Sequence, residues 1–254
     1  MTLRLKSCLF AAAIAVGGIC SANAADLAAR TYTKAPVPVL EPVYNWTGFY
    51  IGADAGYGWG RDRHTDLTPG GNFWTTGGAQ SIKPTGAVYG GQIGYNWQLS
   101  NWVVGLEAQF NGASLKRTDA SVFFPATDSL RAKVDFYTTV TGRVGYALNN
   151  WLPYIKGGYA GAQLKTINFD GLGDSLNHSD WQNGFVVGAG LEYAFAGNWI
   201  VGVEYNYMDF GKQTFTASNT PATLGIESFK DHLTISTVTG RISYKFGGPV
   251  VARY

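Results

Sequence analysis

Charge is scarce in this 254-residue chain: only 14% of it is Asp, Glu, Lys or Arg, against roughly 25% in an ordinary soluble domain. With 46% hydrophobic residues besides, the composition excludes a disordered chain, which needs high charge and little apolar surface. The net charge is only +2, which excludes the basic footprint of a nucleic-acid binder. Cysteine is limited to Cys8 and Cys20. Proline is modest at 9 residues and the 34 glycines follow no three-residue period, so a collagen-like chain is excluded. Beyond residue 24 no window approaches 18 apolar residues, so any membrane span in this part must be built from strands closed into a barrel.

The first 24 residues have the form of an export signal: Arg4 and Lys6, an apolar run from Leu9 to Ile19, then Ala22-Asn23-Ala24. A spanning helix needs about 20 apolar residues, which this run does not reach. Cleavage after Ala24 removes both cysteines, and with them any disulfide, thiolate metal site or cysteine nucleophile. It also leaves 17 basic residues against 17 acidic ones. Residues 25–44 carry Pro36, Pro38 and Pro42 and read as an extended periplasmic arm. The barrel is expected over 45–246, followed by a C-terminal extension at 247–254.

What is present is a repeat. Asn-Trp occurs at 45–46, 101–102, 150–151 and 198–199, and the last three copies follow a glycine-rich segment ending in tyrosine. Each marks a tight turn, with asparagine suited to the turn and tryptophan opening the next strand. Around these turns the sequence alternates with the period of two that defines a strand. Eight segments do so, near 46–60, 86–99, 102–114, 134–148, 151–164, 181–195, 199–210 and 232–246. Their bulky faces carry Phe49, Ile51, Ile93, Leu106, Val140, Val187, Leu191 and Val203. Their opposite faces are mostly Gly, Ser, Thr, Asn and Gln, with a few charges: Asp54, Glu107, Asp135, Arg143, Lys156, Glu192, Glu204, Arg241 and Lys245.

Small groups fit the interior of an eight-stranded barrel and large ones do not, so the bulky face is predicted to be outside, against lipid. Trp46, Trp97, Trp102, Trp151, Trp199, Tyr244 and Phe246 gather at the short-turn end and form an expected periplasmic aromatic girdle. Connections alternate between short turns near 100, 149 and 197 and long polar stretches near 61–84, 115–133, 165–180 and 211–231. The expected fold is all-β: an eight-stranded antiparallel transmembrane β-barrel with short periplasmic turns and four long extracellular loops.

An unpaired charge in such a lumen costs several kcal/mol, so the interior charges are expected to pair. Antiparallel counting from Trp102 and Leu148 sets Glu107 opposite Arg143, and counting from Trp199 and Phe246 sets Glu204 opposite Arg241.

The segment Trp46-Thr47-Gly48-Phe49-Tyr50-Ile51-Gly52, the Asn-Trp hairpins and the closing Tyr244-Lys245-Phe246 resemble the small outer-membrane β-barrel proteins of alphaproteobacteria, the outer membrane immunogenic or porin-family group. The resemblance implies an integral protein of the outer membrane with exposed, antigenic loops. Its partners would be outer-membrane lipid and lipopolysaccharide, and the barrel-assembly machinery that reads an aromatic final strand. The sequence departs from that final-strand pattern, with Arg241 where glycine is common and Gly240 one position early.

Catalytic and metal motifs are weak. His64, His178 and His232 fall in or beside the expected loops with no second histidine at ligand spacing. His178-Ser179-Asp180 alternate across a strand and so make no relay. Gly56, Gly58 and Gly60 lie inside a strand and not between strand and helix, so they form no nucleotide fingerprint. The expectation is no cofactor, no metal and no catalysis. A structural envelope barrel is favoured, with a narrow diffusion channel and a loop-mediated adhesin or lipid binder as alternatives.

Overall fold

A computed structural model of the chain describes residues 44–67, 78–120, 126, 129–169, 175–217 and 227–247. The export segment, all but the last residue of the arm, and the tail after Gly247 lie outside these residues.

The described residues form β1 (Gly48–Asp66), β2 (Ala79–Ile82), β3 (Thr85–Leu99), β4 (Trp102–Ala120), β5 (Ser129–Tyr146), β6 (Trp151–Phe169), β7 (Ser175–Phe195), β8 (Trp199–Ala217) and β9 (Glu227–Lys245). All pairings are antiparallel between neighbours, and β1 also pairs with β9 from Tyr50↔Lys245 to Asp66↔Phe229, which closes the sheet. β2 and β3 are one stave. Both pair with β1 in a single unbroken register, Trp59↔Thr85 and then Asp62↔Ile82, and the break falls at Pro84, which has no N–H for the ladder. The barrel therefore has eight staves.

The three short turns use left-handed backbone at Ser100 (φ 57°), Asn149 (φ 54°), and Ala196 with Gly197 (φ 46° and 80°). The repeated asparagine lies in each turn, as expected, but the left-handed residues are the one or two positions before it. It stitches each hairpin to the next strand. The carbonyl of Asn101 accepts from Ala147 N–H, Asn150 exchanges bonds with the backbone of Ala194, and Asn198 does so with Lys245.

Most staves are longer than the alternating segments suggest, at 18 to 21 residues in β4 to β9. Large parts of the polar stretches are strand, so the barrel wall continues well above a hydrocarbon layer that roughly ten tilted residues can cross. Shifts of register between Gly112 and Leu115 in β4, Val134 and Phe136 in β5, and Asp209 and Lys212 in β8 mark the change. Each bulge adds one residue to its strand; in β5 the faces exchange, with Ala132 and Val134 buried on one side of it and Tyr137 and Thr139 on the other, whereas Asn111, Ala113 and Leu115 of β4 all stay buried.

Candidate functional site: the barrel interior

The bulky residues are outside. Phe49, Ile93 and Val203 are 39%, 46% and 58% exposed, and Ile51, Leu106, Val140, Val187 and Leu191 lie on the same outward face. At the short-turn end, outward rings meet in neighbouring pairs: Tyr95 with Trp97, Trp102 with Tyr146, Trp151 with Tyr193, Trp199 with Tyr244, and Phe246 with Phe49.

Trp46 is not among them. It is fully buried inside the mouth of the barrel, packed against Tyr44 with Val103, Leu152 and Ile200. Its N–H donates to Gln98 Oε1 at 2.7 Å and its indole N–H to the Asn149 carbonyl at 3.3 Å. The physical reason is parity. Trp46 is two residues ahead of β1 and falls on the inward, even-numbered side of Phe49 and Ile51, whereas Trp102, Trp151 and Trp199 each open a strand on its outward side.

Above this plug lies a layer of charge. Three carboxylates, Glu107, Glu192 and Glu204, interleave with three cations, Arg143, Lys156 and Arg241, all buried. Glu107 meets Arg143 at 3.4 Å, Lys156 at 3.2 Å, and Arg241 in a short contact. Glu204 meets Lys156 at 2.7 Å and Arg241 at 2.5 Å. Arg143 holds Glu192 through both terminal guanidinium nitrogens, Nη1 and Nη2, at 3.0 and 2.8 Å, the two-pronged geometry that suits arginine. Tyr50 and Tyr154 donate to Glu107 and Glu204 at 2.7 and 2.5 Å. Their rings also face Arg143 at 5.0 and 4.7 Å. Asp54 is buried beside this layer and accepts from Asn111. Lys245 is buried at the mouth, donating to the Asn45 carbonyl and lying over the Tyr44 ring.

The counted partners are in contact but not directly opposite. Glu107 faces Thr141 and Arg143 faces Gly105; Glu204 faces Thr239 and Arg241 faces Gly202. Both registers are two residues away from the expectation, because Trp102 pairs with Tyr146 and Trp199 with Tyr244. A two-residue slip keeps every side chain on its face, so long arginine side chains still reach.

Asp135 does not belong to the interior. The bulge beside it turns it out, where it bridges Lys133 at 2.6 Å and Lys165 at 2.8 Å. The same bulge buries Val134, which simple alternation would send outward.

Over the charge layer come Gln109, Asn111, Thr139, Asn206 and Thr237, and then a second apolar layer that includes Leu115, Val134, Tyr137, Met208, Phe210 and Ile235. At its upper edge is a buried cluster that the sequence does not announce. His64 stands 3% exposed inside the wall, its Nε2 2.9 Å from Asp62 and its Nδ1 in short contact with Asp231. This corrects the solvated-loop expectation for His64. Alternation on β1, which puts every even-numbered residue inward, was the signal that could have found it. The donor atoms of Asp62, His64 and Asp231 lie within 4.8 Å of one another. A carboxylate at each ring nitrogen, however, is the arrangement of a bridging imidazolium. His232 faces outward and contacts Asp209 at 3.0 Å; the side chain of His178 lies outside the described residues.

A closed barrel that turns its rings out and its charges in is built for a membrane. No helix among the described residues is long and apolar enough to cross one. The chain belongs to the family described as outer membrane protein beta-barrel domain, whose model matches residues 11–246. It is 35% identical over 222 residues to the 31 kDa outer-membrane immunogenic protein of Brucella melitensis, covering 82% of this chain and 89% of that one. It is 31% identical over 243 residues to the 25 kDa outer-membrane immunogenic protein of Brucella abortus, covering 95% and 99%. Its fold resembles that of the Pseudomonas aeruginosa outer membrane protein OprG, with a TM-score of 0.51, 14% identity, and coverage of 81% of this chain and 100% of that one. The protein is an outer-membrane β-barrel.

Proposed function

We propose that the protein is a non-conducting, non-catalytic barrel of the outer membrane, which stiffens the envelope and carries its long connections to the cell surface. The observation that carries this reading is the sequence of layers along the lumen: an apolar mouth plug, an ion-paired layer and a second apolar layer. An ion would have to displace paired charges and then enter a dry constriction, and such constrictions block conduction by excluding water. His64 has a carboxylate at each ring nitrogen, which leaves neither nitrogen free to act as a base towards a nucleophile.

The outward rings at the short-turn end are proposed as the periplasmic girdle, and the outward aliphatic residues above them as the lipid face. During assembly the partner would be the barrel-assembly machinery, reading Tyr244 and Phe246 at the end of β9.

The test is a planar-bilayer recording of the refolded full-length protein. The expected result is insertion without a steady ion current; a reproducible current that scales with salt concentration overturns the closed lumen in favour of a channel.

A further inference from the structure

On the outer wall, β1, β2 and β9 leave a recess of about 390 Å³ lined by Trp59, Gly60, Arg61, Lys83, Thr234 and Ser236. Its origin is local. Trp59 lies opposite Ser236 and Arg61 opposite Thr234 in the closing seam, so a tryptophan and an arginine face two small hydroxyl residues. On the other flank, Pro84 interrupts the stave and takes Gly60 N–H on its carbonyl at 2.8 Å. Ser236 is held by Tyr205, whose hydroxyl is 3.3 Å away, and the Tyr205 ring stands 6.3 Å from Trp59. Arg61 and Lys83 are exposed, and neither has a carboxylate within ion-pair distance among the described residues.

The height of the recess says what it meets. Outward residues of β1 are Phe49, Ile51, Ala53, Ala55, Tyr57 and Trp59, and then Arg61 and Arg63. The change from ring to cation is the change from the lipid interface to the headgroup layer. The far side of the barrel repeats the change: Phe110, Phe136 and Trp181 stack at 5.7 Å each, and beyond them stand Lys116, Lys133 and Lys165 on β4, β5 and β6. There Asp135 already bridges Lys133 and Lys165, so the recess beside Arg61 and Lys83 is the place where, among the described residues, the cations lack a carboxylate.

We propose that the recess binds the phosphate-bearing sugar headgroup of an outer-leaflet glycolipid of the lipid A type. Arg61 and Lys83 hold the phosphate, and Trp59 packs on the apolar side of the sugar where the acyl chains begin; the floor is Thr234, whose hydroxyl donates to the Arg61 carbonyl at 3.4 Å, and Ser236, held by Tyr205. This rests on the outer-membrane placement and not on the closed lumen, so a conductance result does not bear on it.

The experiment is native mass spectrometry of the full-length protein released from detergent, in the presence of bisphosphorylated lipid A, fully dephosphorylated lipid A, or inorganic phosphate. The expected result is an adduct with the bisphosphorylated lipid that falls by about tenfold in the Arg61→Ala/Lys83→Ala double variant and with the dephosphorylated lipid. Arg61→Lys and Lys83→Arg single variants retain it, and inorganic phosphate at equal concentration neither forms an adduct nor displaces the lipid. Undiminished binding by the double variant, or to the dephosphorylated lipid, overturns the proposal. Displacement by inorganic phosphate overturns the assignment to a lipid. Folding of each variant is checked by its heat-dependent gel mobility. Should the double variant not fold, Arg61→Gln and Lys83→Gln made separately decide the question, each expected to weaken the adduct.

Discussion

Arg143 of β5 and Glu192 of β7 meet across the lumen in a two-pronged ion pair, although β6 lies between them in the sheet and 49 residues separate them in sequence. The pair acts as an internal strut. Both groups are buried, and each also serves a neighbour: Arg143 reaches Glu107 and Arg241 reaches Glu192 at 3.5 Å.

Removing one end of the strut strands the other. Glu192→Gln keeps the shape and removes the charge that Arg143 faces, which costs about 3–5 kcal/mol for a buried pair broken on one side. Urea unfolding of the protein in lipid vesicles, followed by gel mobility, should show that loss. Stability unchanged from the parent would mean that the pair does not form.

Trp46 is a plug and not a membrane anchor. Trp46→Ala should therefore cost about 3–5 kcal/mol, the range for emptying a buried aromatic site. It should still leave the barrel without conductance, because the layer around Leu115, Met208 and Phe210 is untouched. Unfolding and bilayer recordings on the same variant check both halves.

Two glycines separate packing from composition. A Cβ on Gly56 would sit 2.0 Å from the Val238 carbonyl in the seam between β1 and β9, while one on Gly142 meets nothing within 4 Å. Gly56→Ala should lose about 1–3 kcal/mol, as overpacked sites do, and slow closure of the barrel. Gly142→Ala should be near neutral. Folding yield and rate in vesicles distinguish the two.

His64 lies above the aromatic band, outside the membrane span. Burial opposes its charged form, but the charge of Asp62 and the hydrogen bond to Asp231 outweigh burial and lift its pKa from 6.5 to about 10. The folded state thus holds this proton more tightly than the unfolded chain. The stability it contributes is full below 6.5 and is lost as pH rises towards 10. The unfolding midpoint of the parent should fall between about pH 6 and pH 10 by more than that of His64→Gln. Parallel profiles for the two proteins would show that the cluster does not hold the proton.

The lower half of the barrel was legible because one rule covers it. Alternation from Phe49 to Tyr57, and again through Trp102 to Asn111, assigns each side chain to its face without knowledge of its partners. Strand number and closure followed from the same periodicity and from the Asn-Trp turns. The upper half was obscured above all by the added residue in β5, which turns Asp135 out and Val134 in while the local sequence gives no sign of a bulge. Register is a different kind of loss. A slip of two residues preserves every face, so hydrophobic pattern cannot distinguish Glu107 opposite Arg143 from Glu107 opposite Thr141. Trp46 was misplaced because a repeated motif was weighed above its position relative to the first strand.

The asparagine stitches at the short-turn end have a bearing on how such a chain can change over time. Asn101, Asn150 and Asn198 tie consecutive hairpins together at the base of the cylinder, so the shape of the wall is set from the short-turn end. Substitutions far from that end leave these ties in place, as a loom keeps its warp while the pattern woven on it is altered.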